Sequence, residues 1–115
     1  MAMKSLEDIL KFDSLPAAEN TLREIHSLFL QSRSTDDPEG LNHCRDLIRK
    51  GKRRALMISR NKRVNASKRE EKKEIAQWFT VWLQTPELFW EWLDLRKSSP
   101  DFISRFGGAT SPQSS

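Results

Sequence analysis

The interval between apolar residues is the strongest constraint this chain places on its own fold. They recur every three or four positions, and no window alternates apolar and polar for long enough to make a strand. Leu15, Ala18, Leu22, Ile25, Leu28 and Phe29 keep the interval in one segment, and Leu41, Cys44, Ile48, Gly51, Ala55 and Ile58 in a second. Ile75, Trp78, Phe79 and Trp82 keep it in a third, and Leu88, Phe89, Trp92 and Leu93 in a fourth. A period near that of the α-helix buries one stripe of each helix and leaves the rest in water. The sequence therefore predicts an all-α protein: a small bundle of five or six short helices, with an aromatic helical hairpin near the C-terminus.

Caps and breakers divide the chain. Ser5, with Asp8 three residues on, reads as a capping pair for a short opening helix whose apolar side is Leu6, Ile9 and Leu10. A second helix is expected over "DSLPAAENTLREIHSLFLQS", closing in the polar run "SRSTDD", a loop by composition. Asp37 then caps, and Pro38 takes the first turn of the following helix, where its missing N–H is no loss. Gly51 lies on that helix's inner stripe and admits a close helix crossing. The break falls in "SRNKRVNAS", with Ser67 and Glu70 as the capping box of the next helix. Thr85-Pro86 restarts the chain into "PELFWEWLDLRK", and Ser99-Pro100 opens a last turn with Phe102, Ile103 and Phe106. Residues 1–106 are thus read as a single helical domain, and "GGATSPQSS", 107–115, as a disordered tail.

Charge is distributed far less evenly than apolar residues. The 115 residues sum to only +4, yet residues 45–73 hold 13 basic and 3 acidic side chains, a balance of +10. The other 86 residues hold 7 basic and 13 acidic ones, a balance of −6. An ordinary solvated helix face mixes signs, with Glu set to pair with Lys one turn away. Between Arg49 and Arg69 there is no acidic residue at all. Gathered cations repel one another and raise the local potential, and a polyanion relieves the repulsion. Arg45, Arg49, Lys50, Lys52, Arg53, Arg54, Arg60, Lys62, Arg63, Lys68 and Arg69 are therefore the candidate nucleic-acid-binding residues.

The zinc-finger spacing, basic-zipper heptads and RNA-reading motifs that mark base-specific binders are missing. Contacts to phosphate and sugar then carry the binding, which favours recognition by shape. Duplex or structured RNA is recognised in that way, so RNA is preferred over DNA. The expected role is regulatory or accessory, in the class of viral proteins that mask RNA.

Trp78, Trp82, Trp90 and Trp92, with Phe79 and Phe89, crowd into fifteen residues. At helical spacing such a set builds a core. Trp90 falls off the inward surface and is expected to be exposed, a partner-binding residue at the edge of a homodimer seam formed by the aromatic hairpin. The alternative function is then a protein-interaction adaptor, in which the Trp-rich hairpin docks a partner. On that reading "RKGKRR" is a nuclear-import signal or a clamp on an acidic surface. Membrane-surface binding ranks third, because Glu87, Glu91 and Asp94 on the aromatic helices would be repelled by anionic lipid.

Enzyme chemistry is not expected. The sequence has no glycine-rich phosphate loop, nucleophile elbow or H-E-x-x-H motif. His43 and Cys44 are adjacent on a helix and point about 100° apart, so they read as surface histidine and core cysteine. One cysteine makes no internal disulfide, and Asp36-Asp37 reads as a cap, not a metal site. No cofactor is implied. The opening segment lacks a continuous apolar core and does not read as a secretory signal, and no run is apolar enough to span a bilayer. An intracellular protein, cytoplasmic and by its basic run also nuclear, is expected, so the Asn65-Ala66-Ser67 sequon carries no meaning.

Overall fold

The computed structural model describes residues 14–107. Five α-helices follow one another there: α1 (Leu15–Ser34), α2 (Pro38–Ser59), α3 (Ala66–Gln84), α4 (Phe89–Lys97) and α5 (Pro100–Phe102), with a single wider π turn at Ile103–Gly107. No strand occurs among the described residues, and the all-α bundle is as expected. The opening Ser5 helix and residues 108–115 lie outside the described residues. The first three helices are not short: 20, 22 and 19 residues. Joined by the six residues 60–65, α2 and α3 pack along one another as an antiparallel hairpin, the most extensive helix contact in the bundle. α1 lies across both, and α4 closes against α3.

Half of the polar run "SRSTDD" proves to be helix. Ser32, Arg33 and Ser34 belong to α1 because its last carbonyls are satisfied locally: the Ser34 and Thr35 hydroxyls donate to the Gln31 carbonyl at 3.1 and 3.0 Å. The chain then reverses in a Schellman turn. Asp36 takes a left-handed conformation (φ 55°), its N–H donates to Arg33 O, and the Asp37 N–H donates to Ser32 O at 2.8 Å. Asp37 immediately caps α2, its carboxylate accepting from the Gly40 N–H, with Pro38 next as expected.

Two further boundaries differ from the sequence reading. The cap of α3 is Asn65, not Ser67: Asn65 is extended (φ −65°, ψ 158°) and its Oδ1 accepts from the Lys68 N–H at 2.9 Å, while Ser67 is already helical. After Thr85 the chain makes a turn, Leu88 N–H to Thr85 O, before α4 begins at Phe89. Leu88 is therefore flanking backbone outside the inward stripe. It is exposed, and Trp92 is only half-buried. Ile103 likewise faces water, half its surface open, although Phe102 beside it is buried.

Leu22 and Ile25 from α1, Ile48 and Ala55 from α2, Ile75, Trp78, Phe79 and Trp82 from α3, and Phe89 from α4 are wholly sequestered. Gly51 lies on the buried side of α2, and Leu41, Ile58 and Leu28 sit half-buried at the margins. Aromatic rings meet edge to face, as Phe29 does with Trp82 at 5.1 Å between centroids, a geometry that sets positive ring edge against negative face. Two charged side chains of α3, Lys72 and Glu74, are buried with it. Glu74, only 3% exposed, receives both nitrogens of the Arg96 fork at 2.7 Å and the Trp78 indole N–H at 2.8 Å.

Candidate nucleic-acid interface

The candidate cations fall on α2, on the connector 60–65 and on the first turn of α3. The α2 stripe of Cys44, Leu47, Ile48, Gly51 and Ala55 turns one side of that helix into the core. What remains outward is Arg49, Lys50, Arg53 and Arg54, all exposed, with Lys52 half-buried at the margin. At about 100° per residue the outward cations occupy both flanks of α2, Arg49 and Arg53 on one and Lys50 and Arg54 on the other. The connector is held by its own backbone. The Arg60 N–H donates to Leu56 O, Asn61 N–H to Ile58 O and Val64 N–H to Asn61 O, while the Asn61 side chain accepts from the Arg63 N–H. That turn leaves Arg60, Lys62 and Arg63 exposed at the end of the hairpin. Lys68 is exposed one turn into α3, and half-buried Arg69 donates its Nε–H to the Val64 carbonyl at 3.0 Å, bracing the connector.

The fold thus brings ten of the eleven candidates onto one half of the α2–α3 hairpin. Arg45 is the exception. It is half-buried one turn before Arg49, its guanidinium 5.8 Å from the Phe29 ring centroid, so it belongs to the α1–α2 contact. Arg49 is partly neutralised by Asp46, one turn back, at 2.9 Å. Of the other acids, Glu70 is taken by Lys73 at 3.8 Å and by Arg105 from the π turn at 3.4 Å. Among the described residues, no carboxylate makes an ion pair with Lys52, Arg53, Arg54, Arg60, Lys62, Arg63 or Lys68. Part of this charge is locally tolerated, since the carbonyl end of α2 is a good neighbour for Arg60 to Arg63. At α3 the helix end adds to the repulsion, because its first turn has no acidic residue.

No family model, curated protein or solved structure matches the chain.

Trp90 departs from its expected exposure. It is half-buried against α1, 5.6 Å from the His26 ring edge-on, 4.8 Å from Phe89, and capped by the Arg23 guanidinium at 4.8 Å from the ring centroid. The exposed apolar residues here are instead Leu88, at the N-cap of α4, and Leu95 within it, 57% and 74% open. Met57, not singled out by sequence, is 72% exposed in the midst of the outward cations.

Cys44 is buried, which pushes its thiol up from the ordinary value, and His43 is exposed. His26 Nδ1 accepts the indole N–H of buried Trp82 at 3.0 Å. Burial holds its imidazole below the ordinary value, Arg33 adds to that, and Glu87 opposes it. Among the described residues, no three His, Cys, Asp or Glu side chains gather as a metal site, and no helix is long and apolar enough to cross a membrane.

Proposed function

We propose that this protein is a non-enzymatic nucleic-acid-binding protein that grips RNA, preferably duplex or structured, by its phosphate backbone. The observation that carries the reading is the half of the α2–α3 hairpin where seven cations lack any described carboxylate partner. An unneutralised cluster is held at an electrostatic cost, and a phosphate rail along it repays that cost while releasing counterions. Arg53, Arg54, Arg60, Lys62, Arg63 and Lys68 make the phosphate contacts, and Lys50 and Lys52 extend them along α2. The role is regulatory or accessory, through covering RNA rather than altering it.

Two tests follow directly. Protein purified at low salt should carry nucleic acid, read as a raised 260/280 nm absorbance ratio that nuclease treatment lowers. Arg53→Glu combined with Arg63→Glu should abolish duplex RNA binding while leaving the far-ultraviolet helical signal unchanged, since both side chains are exposed. Intact binding by that double variant would remove the reading.

A second reading, an adaptor or homodimer, draws on the exposed Leu88 and Leu95, at the N-cap of α4 and within it. Trp90 is the less suitable anchor, already engaged by Arg23 and His26. If α4 is the seam, Leu95→Glu should shift the protein to a lower mass in sedimentation equilibrium with its thermal midpoint unchanged; an unchanged mass would dispose of the seam.

A further inference from the structure

We propose that Met57 is the central apolar contact of the α2 surface and lies against the sugar edge of a duplex RNA groove, flanked by cations that hold the two phosphate rails. The inference rests on the nucleic-acid reading above and adds which groove-facing residue makes the contact and how the helix is oriented.

Met57 lies off the buried stripe of α2, and 72% of its surface is open to water. A large apolar side chain left in water contributes little to the fold, so its place in a cluster of charge calls for an account. Its helical neighbours are Arg53 and Arg54, four and three residues before it, Arg60 three after it, and Lys50 two turns before, all exposed. With about 100° per residue, Arg53 and Arg60 fall about 40° and 60° to one side of Met57, and Lys50 and Arg54 about 20° and 60° to the other. Two cations therefore stand on each side of one apolar crest, over residues 50 to 60, about 15 Å of helix. Arg60 still has helical backbone (φ −97°, ψ −5°), so the arrangement holds to the end of α2.

That pattern complements a groove, in which two negative rails border a strip of sugar and base edges. Single-stranded nucleic acid has one rail and stacks on aromatic platforms, and no aromatic residue lies between Cys44 and Trp78. Between Cys44 and Ile58 there is also no Asn, Gln, Ser or Thr, and a thioether neither donates nor strongly accepts. With the flanking cations on phosphates, the thioether at the centre reads no donor–acceptor code, which disfavours the coded major groove of B-form DNA. The wide, shallow groove of A-form RNA, recognised by shape and sugar, suits it. A membrane surface would need a broad apolar face, and here the apolar area is one side chain.

Full-length protein would be titrated by fluorescence anisotropy against end-labelled blunt duplex RNA, with Met57→Ser, Met57→Leu and Arg53→Gln beside the unaltered chain. Met57→Ser should weaken binding about five- to tenfold at every salt concentration and leave the salt slope unchanged, since area is lost and no charge. Met57→Leu should stay within about twofold, since apolar volume is kept. Arg53→Gln should instead flatten the salt slope by about one. Met57 is exposed, so the thermal midpoints should coincide. Wild-type affinity in Met57→Ser, with Arg53→Gln weakened, would overturn the crest contact and leave the nucleic-acid reading standing. Equal affinity and equal Met57 dependence on B-form DNA of the same sequence would overturn the A-form groove. Met57-dependent binding to phosphatidylserine vesicles, without binding to RNA or DNA, would overturn both readings in favour of a lipid surface.

Discussion

At the scale of single residues, one buried carboxylate and one half-buried imidazole help hold the bundle together through their hydrogen bonds. Glu74 is buried and bound by Arg96 and the Trp78 indole. Removing one partner of such a pair leaves an uncompensated charge in the core. Arg96→Met should therefore cost about 3–5 kcal/mol, read from the midpoint of urea unfolding. The double change Glu74→Met with Arg96→Met should recover most of that loss, because two apolar side chains leave no orphan. Arg96 also touches Asp101 at 3.3 Å, so part of the cost reflects the turn into α5. His26 sets a pH limit. Its Nδ1 accepts from the Trp82 indole, which can only donate, so adding a proton there sets donor against donor. Burial, Arg33 and opposing Glu87 together leave its folded value below the ordinary 6.5. The unfolded chain then binds the proton first, so this contribution to stability is complete above the ordinary value and is lost as pH falls through the lower folded one. Thermal midpoints should drop from pH 7.5 to pH 5 more steeply for the unaltered chain than for His26→Gln; equal slopes would show that His26 does not set the dependence.

At the scale of elements, helix ends decide the geometry, and they are where sequence and structure part. Asp37-Pro38 and Ser99-Pro100 were legible because a cap followed by proline has one reading. In "VNASKRE" the cap was expected at Ser67, and Asn65 takes it because it closes the turn that starts at Asn61 while Ser67 continues the helix. Asn65→Ala should thus cost about 1 kcal/mol in unfolding free energy and Ser67→Ala a few tenths at most. The reverse order would restore the capping box. The α1–α2 corner depends on Asp36, a non-glycine residue with positive φ, at the position where Gly is commonest. Asp36→Gly should raise stability by up to about 1 kcal/mol, offset in part by the entropy Gly adds to the unfolded chain. The stripes of α1, α2 and α3 were legible almost residue by residue, because a long helix repeats its period often enough to fix its face. Leu88 and Trp92 were misread because α4 is nine residues, too few for the period to reveal where its first turn begins.

At the scale of the whole molecule, the proposed function is electrostatic. The sequence located the excess charge, and the α2–α3 hairpin gathers most of it at one end while Arg45 is drawn into the α1–α2 contact. That gathering was only partly legible, since it depends on where α2 stops and how tightly the connector turns. Met57 and the Glu70–Arg105 pair were not legible as parts of it, one because apolar residues are read first as core, the other because 35 residues separate its members. The decisive measurement is the salt dependence of duplex RNA affinity. If five to seven of these cations meet phosphates, log K should fall linearly with log salt at a slope of about −4 to −6, and Arg53→Glu with Arg63→Glu should remove the binding. An affinity indifferent to salt, or no association with RNA or DNA at the lowest salt, would contradict the account.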